Sequence, residues 1–207
     1  REAGCTGLNG LLNNAGLLIN KPFETVTLRD LQASYGVNVF APYLLTQALL
    51  PLLGTSGKSH VVNISSMGGV QGSAKFAGLS AYSSAKGALC TLTECMAEEF
   101  KDDGIAFNAL WPRTGVATAA IEFALTGEEG LRHCRTVDIM ADAAYAIFNK
   151  PSKQCTGNFF IDDVLLYESG ERDFDKYRVD PTKPLMPDFF VPENTPLPPG
   201  VSMGPKA

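Results

Sequence analysis

Charge is scarce in this chain and leans acidic: 19% of its 207 residues are charged, with 17 Lys and Arg against 22 Asp and Glu. A net charge of -5, with no basic block or aromatic–basic stripe, argues against a nucleic-acid surface. Histidine is limited to His60 and His133, which lack ligand spacing, so no structural zinc is expected. The five cysteines (Cys5, Cys90, Cys95, Cys134 and Cys155) are odd in number and form no Cys-x-x-Cys. A reducing intracellular compartment is the simplest reading, cytoplasmic by default, with peroxisome and mitochondrion left open. The longest apolar stretch, Val39 to Leu53, is broken by Pro42, Thr46, Gln47 and Pro51, so no membrane span is expected.

What is present belongs to a globular protein. Hydrophobic residues make up 45% of the chain, enough for one domain with a real core. The segment that organises the reading is Ala81-Tyr82-Ser83-Ser84-Ala85-Lys86-Gly87, at the start of a helix expected from about Ser80 to Lys101. Tyr82 and Lys86 stand four apart, hence on one face, one turn from each other. An ammonium beside a phenol favours phenolate and is expected to lower the tyrosine pKa, tuning it for acid–base work. On the same helix Cys90 and Cys95 read as buried small apolar residues.

Just upstream, Val61-Val62-Asn63-Ile64 reads as a buried strand ending in Ser65-Ser66 and Met67-Gly68-Gly69. Ligands of open parallel sheets sit at the carboxyl ends of strands, where a hydroxyl could polarise a carbonyl. Earlier, Leu8 to Leu12 reads as a strand running into the turn Asn13-Asn14-Ala15-Gly16. Thr27 to Leu53 reads as one long helix, with Thr27 as N-cap and Asp30 at its third position. Leu31, Tyr35, Asn38, Leu45, Leu49 and Leu52 are expected on one stripe. Pro42 has no N–H for the Asn38 carbonyl, so the helix should kink there and leave that carbonyl seeking another donor, such as an ordered water.

Further on, Gly104 to Trp111 reads as a strand closed by Pro112, and Asp138 to Asn149 as an amphipathic helix. Thr156 to Asp163 reads as a turn and a last strand. Eight of the 13 prolines fall in residues 181–207, an extended tail that is ordered only if it docks. The Asp188-Phe189-Phe190 group could anchor it.

Strand, serine, glycine-rich loop, then a helix bearing Tyr82 and Lys86, with Asn13-Asn14-Ala15-Gly16 and Asn38 before them, resembles the short-chain dehydrogenase/reductase family. The later motifs, including Pro187 to Phe190, resemble its hydroxysteroid dehydrogenase-like subgroup. The resemblance implies an α/β fold, a Rossmann-type doubly wound parallel sheet. It implies an oxidoreductase that interconverts alcohol and carbonyl with NAD or NADP, on a small-molecule substrate of lipid or steroid-like kind. Tyr82 would exchange the proton, Lys86 would tune it and bind the nicotinamide ribose, Ser66 would polarise the carbonyl, and Asn38 would hold a relay water. Ser65 and Ser73 stand as alternatives to Ser66, because the sixteen-residue step from Ser66 to Tyr82 is about three longer than usual in the family. Asn14, Ala15 and Gly16 would line the cofactor, joined by Tyr82, Lys86 and Thr118, although Arg113 replaces a usual glycine and Thr118 sits one residue late. Ala119 to Arg135 would cover the substrate, with Phe123, Leu125 and Leu131 as an apolar lid. A homo-oligomer, dimer or tetramer, is implied through the helix pair carrying Asn38 and Tyr82.

The Gly-x-x-x-Gly-x-Gly turn that cradles a pyrophosphate at a helix N-terminus is not found in the sequence. With Arg1 as first residue, residues 1–165 therefore read as the later two-thirds of such a domain, about four strands remaining, and residues 166–207 as an extended proline-rich tail. Two other readings follow from the same features: a catalytically inactive truncated form acting as a dimerising binding partner, and a lipid-binding module using the apolar lid.

Overall fold

In a computed structural model, the structure describes residues 6–66, 77–188, 191 and 195–205. Four parallel strands form one sheet in the order β1 (Gly10–Asn13), β2 (Ser59–Ile64), β3 (Ile105–Trp111), β4 (Phe159–Ile161). This is the expected architecture. β2 and β3 are the central strands, and their apolar side chains alternate between two cores, as a period of two requires. Val61, Ile105 and Phe107 face one layer with Leu53 and Met96. Val62 and Leu110 face the other, against Ile139, Ala143, Ile147 and Leu165.

The first layer holds α1 (Leu28–Tyr35), α2 (Ala41–Ser56) and α3 (Ser80–Glu99). Thr27 and Asp30 close the expected capping box: Thr27 Oγ1 accepts from the Asp30 N–H (3.2 Å), and Asp30 Oδ2 accepts from the Thr27 N–H (2.9 Å). Between α1 and α2 the chain does not simply kink. Gly36–Phe40 form a π-helical turn in which the Ala41 N–H reaches back five residues to the Gly36 carbonyl. A widened turn just before Pro42 accommodates the residue that has no N–H to give. The extra residue also moves the buried face. Leu31 and Leu45 are exposed, while Asn38, Pro42, Thr46 and Leu53 are buried. The continuous run Leu28–Ser56 is 29 residues, long and apolar enough to cross a bilayer by length and composition, unlike the shorter stretch counted in the sequence. Here one of its sides packs on the sheet and on α3. On α3, Cys90 is buried as expected but Cys95 is exposed.

After β3 come α4 (Ala119–Ile121), α5 (Gly127–Leu131) and α6 (Asp138–Phe148), then β4 and α7 (Asp162–Glu168). The last strand is shorter than expected: Asp162 and Asp163 do not extend β4 but open α7. Acidic residues suit a helix N-terminus, and here arginines hold them. Asp163 accepts from Arg113 Nε at 2.8 and 2.7 Å and from Arg135 Nη1 at 3.1 Å, and all three side chains are buried. Asp162 Oδ1 accepts from the backbone N–H of Arg113 (3.1 Å) and of Asp163 (2.7 Å).

The proline-rich segment docks. Arg113 Nη1 and Nη2 donate to the carbonyls of Thr195 (3.2 Å) and Pro196 (2.9 Å). Arg178 Nη2 donates to the carbonyls of Ser202 (2.6 Å) and Gly204 (2.7 Å). Gly115 lets this segment lie close: a Cβ there would meet Met186 Cε at 2.6 Å and Cys134 Sγ at 2.9 Å.

Replacing Asp163 by Ala strands two buried guanidinium groups, so a loss of about 3–5 kcal/mol is expected, read as a lower urea midpoint. Asp162 behaves differently with pH. Burial, opposed by Arg135 and reinforced by Asp163, pushes its carboxyl from 3.8 up to about 6. The folded chain thus keeps a proton there that the unfolded chain has released, and this residue's contribution falls as pH rises from about 4 to about 6. Asp162→Asn should flatten that part of the profile, so its stability relative to the parent protein rises across the same interval in urea titrations.

Candidate active site

The carboxyl ends of β1, β2 and β3 open into one cavity of about 670 Å³. β1 leads to Asn14, Ala15 and Gly16 on one side, and β2 leads to Ser65 and Ser66 on its floor. The first turns of α3 bring in Tyr82 and Lys86, and Thr118, at the start of α4, lines the same space. The remaining wall is largely apolar: Leu12, Leu18 and Ile64, then Val116, Val137 and Met140. Every sequence-predicted site residue except Asn38 lines this space.

Lys86 is 3% exposed, and its Nζ donates to the carbonyl of Ile64 at 2.7 Å, which pins the ammonium to the end of β2. It lies 5.8 Å from the centre of the Tyr82 ring. Gly16 sits against both groups behind it: a Cβ there would be 3.8 Å from Lys86 Nζ and 3.5 Å from Asn38 Oδ1. Asn38 supports the site from the π turn. Its Nδ2 donates to the carbonyls of Leu17 (2.9 Å) and Ser34 (2.9 Å), and its Oδ1 accepts from the Leu17 N–H (3.2 Å). The side chain therefore clamps the loop that follows β1.

The two serines separate cleanly. Ser65 Oγ is engaged within the fold, donating to the Lys86 carbonyl (3.4 Å) and lying 3.2 Å from Cys90 Sγ. Ser66 Oγ is buried and has no hydrogen-bond partner among the described residues. A buried hydroxyl without a partner is costly unless something else engages it. Ser73, Phe189 and Phe190 lie outside the described residues, as does the side chain of Leu125.

Two expectations need correction. The Tyr82 phenol is not pulled down by Lys86. Burial, and then the carboxylate of Asp188, push its pKa above the ordinary value of 10. Burial likewise brings Lys86 down to about 8. Desolvation is the largest cause of both shifts. Of the apolar lid expected from Phe123, Leu125 and Leu131, Phe123 is 81% exposed and neither it nor Leu131 lines the cavity; Ala119 and Ala120 do.

Sequence reasoning missed Asp188 as a site residue, reading it only as a tail anchor. It also missed a polar chain beneath the cavity. Asn13 Nδ2 donates to Asn63 Oδ1 (2.8 Å), Asn63 Nδ2 to Thr93 Oγ1 (2.9 Å), and Thr93 Oγ1 to the Leu89 carbonyl (2.8 Å). The signal was Asn63 itself, an amide inside an apolar strand that had to find partners.

Residues 2–125 match the family model described as short chain dehydrogenase. The chain is 42% identical over 189 residues to hydroxysteroid dehydrogenase-like protein 2 of Bos taurus, covering 90% of this chain and 44% of that protein. It thus spans less than half the length of such curated relatives. Among solved structures, a putative dehydrogenase from Xanthomonas campestris superposes with a TM-score of 0.83 at 32% identity, over 90% of this chain and 68% of that one. A short chain dehydrogenase from Mycobacterium thermoresistibile gives 0.81 at 34%, over 96% and 69%.

Asn38→Ala removes both bonds to Leu17 and leaves its N–H unsatisfied. A loss of about 1–3 kcal/mol is expected, with faster amide exchange at Leu17 than at β2.

Proposed function

We propose, from the premise that this chain belongs to the short-chain dehydrogenase family, that it serves an NAD- or NADP-dependent oxidoreductase interconverting an alcohol and a carbonyl. One observation carries the reading: Tyr82, Lys86 and the unpartnered buried hydroxyl of Ser66 line a single cavity at the strand ends.

The residues present suit the nicotinamide end of the cofactor. Asn14, Ala15 and Gly16 offer a wall without bulky side chains, and Lys86 Nζ lies beside Gly16, placed for ribose hydroxyls. Thr118, which lines the same cavity, would contact the nicotinamide end as well. The bound cofactor supplies the hydride. Ser66 Oγ donates to the substrate carbonyl oxygen, and Tyr82 donates its proton to the same oxygen as the alcohol forms. The raised Tyr82 pKa keeps the phenol protonated at neutral pH, ready to act as the acid. Asn38 holds the Leu17 loop, and its carbonyl, for which Pro42 offers no N–H, is the seat for a relay water to Lys86.

The apolar wall favours a lipid or steroid-like carbonyl compound, in keeping with the name of the Bos taurus relative. Exposed Phe40, Tyr43, Leu44 and Leu45 on the helix beside the site support a homo-oligomer, and they are the one feature that favours the binding-partner reading.

Tyr82→Phe is expected to lower turnover of a ketone panel by about 10²–10⁴-fold while NADH or NADPH binding, followed by fluorescence, changes little. Near-parental turnover in that variant would sink the assignment. Because Lys86 loses its charge near pH 8, cofactor affinity should weaken as pH rises through that value. Lys86→Arg, whose charge persists, should remove that dependence from whatever affinity remains.

A further inference from the structure

The turn that carries Tyr82 is not fixed by its own helix end. α3 begins at Ser80 with no side-chain cap at Leu79, so its first turn takes its position from what is packed around it. The Gly78 carbonyl, just before it, accepts from the Lys21 N–H (2.8 Å). The Ala81 carbonyl, in the peptide bond to Tyr82, accepts from Ser34 Oγ at 3.1 Å. Ser34 is the one buried residue of α1, and a buried hydroxyl inside a helix has to find partners. With its proton given to Ala81, its oxygen is left to accept from Asn38 Nδ2, 3.4 Å away, while the same Nδ2 donates to the Ser34 carbonyl (2.9 Å). Asn38 Oδ1 in turn accepts from the Leu17 N–H. The bonds therefore run one way, from Leu17 through the Asn38 amide and the Ser34 hydroxyl to Ala81, an order in which each polarises the next. They join the loop that places Gly16 beside Lys86 Nζ to the turn that bears Tyr82.

We propose that Ser34 is a positioning residue for the reaction: its hydroxyl fixes the turn bearing Tyr82 against Asn38 and the Leu17 loop, and so holds the phenol where the substrate oxygen comes. The proposal rests on the oxidoreductase reading. Ser34 does not line the cavity and acts through Ala81 and Tyr82. Proton transfer needs donor and acceptor within hydrogen-bond reach, so a small displacement of this turn weighs on the chemical step and little on cofactor binding. Removing the hydroxyl leaves no buried group stranded. In Ser34→Ala the Ala81 carbonyl keeps its place in the helix ladder and its bond from Ser84 Oγ (3.2 Å), and Asn38 Nδ2 keeps the carbonyls of Leu17 and residue 34. The variant is therefore expected to fold, with the tether alone removed.

The test uses the full chain with Ser34→Ala and with Ser34→Cys, which keeps the volume but offers only a weak donor. Each is made alone and together with Tyr82→Phe, and circular dichroism checks that all are folded. Reduction of a panel of aliphatic and steroid ketones is followed with NADH and with NADPH. For the ketone reduced fastest, kcat is expected to fall about 3- to 30-fold in each single variant, while KM for the cofactor stays within about twofold. In the Tyr82→Phe background, with product counted over long incubations, the same change should cost less than about twofold, because the group it positions is gone. Amide exchange in residues 80–85 should quicken in the single variants while β2 stays protected. A kcat near the parent's in both single variants, unchanged exchange in residues 80–85, or an equal loss with and without the Tyr82 hydroxyl, as a general structural role would give, overturns the proposal and leaves the oxidoreductase reading standing. A parent protein that reduces no ketone of the panel with either cofactor overturns that reading, and the proposal with it.

Discussion

Asp163, buried and shared between Arg113 and Arg135, is the junction on which the second half of the molecule depends. Two guanidinium groups on one carboxylate compensate part of the large cost of burying three charges, and the arrangement survives only while all three are present. Through Arg113 it fixes the chain just beyond β3, where the cavity wall begins. Through the remaining nitrogens of the same guanidinium it holds the proline-rich segment at Thr195 and Pro196. The usual glycine after Pro112 could do neither. A residue that looked like a departure from the family pattern is thus the means by which a distant segment is brought to the site.

The sheet and its helices were largely legible in the sequence because burial leaves a plain pattern. Val61-Val62 and Ile105 to Trp111 are apolar on both faces, as central parallel strands are, and the capping box at Thr27 and Asp30 is local chemistry that tertiary context did not override. The boundary at β4 was not legible. Phe159-Phe160-Ile161 reads as strand, but nothing local says that Asp162 and Asp163 begin a helix. Their partners are Arg113 and Arg135, about 50 and 28 residues away in sequence.

The site divides along the same line. Tyr82 and Lys86 share a helix face, so their proximity follows from spacing alone, and Ser66 is located by the end of its strand. Their electrostatics did not follow from spacing. The expectation for Tyr82 counted one neighbouring charge and left out both desolvation and Asp188, which comes from more than a hundred residues further along. The choice between Ser65 and Ser66 likewise depended on which hydroxyl the fold had already used. Sequence order does not show that Ser65 Oγ lies against Cys90 Sγ while Ser66 Oγ has no partner among the described residues.

The π turn at Gly36–Phe40 has one more consequence. Each residue in an α-helix turns the face by about 100°, so a single extra residue acts as a phase shifter between two helices that otherwise run on as one. Upstream of it α1 is set by its cap and by Ser34 against α3; downstream, α2 is set by Thr46 and Leu53 against the sheet. Asn38 occupies the residue step where the two phases are reconciled, and can point inward without committing either helix to its orientation. Removing one residue there would leave a straighter helix with its halves competing for one phase, and the asparagine would be the first side chain carried out of register.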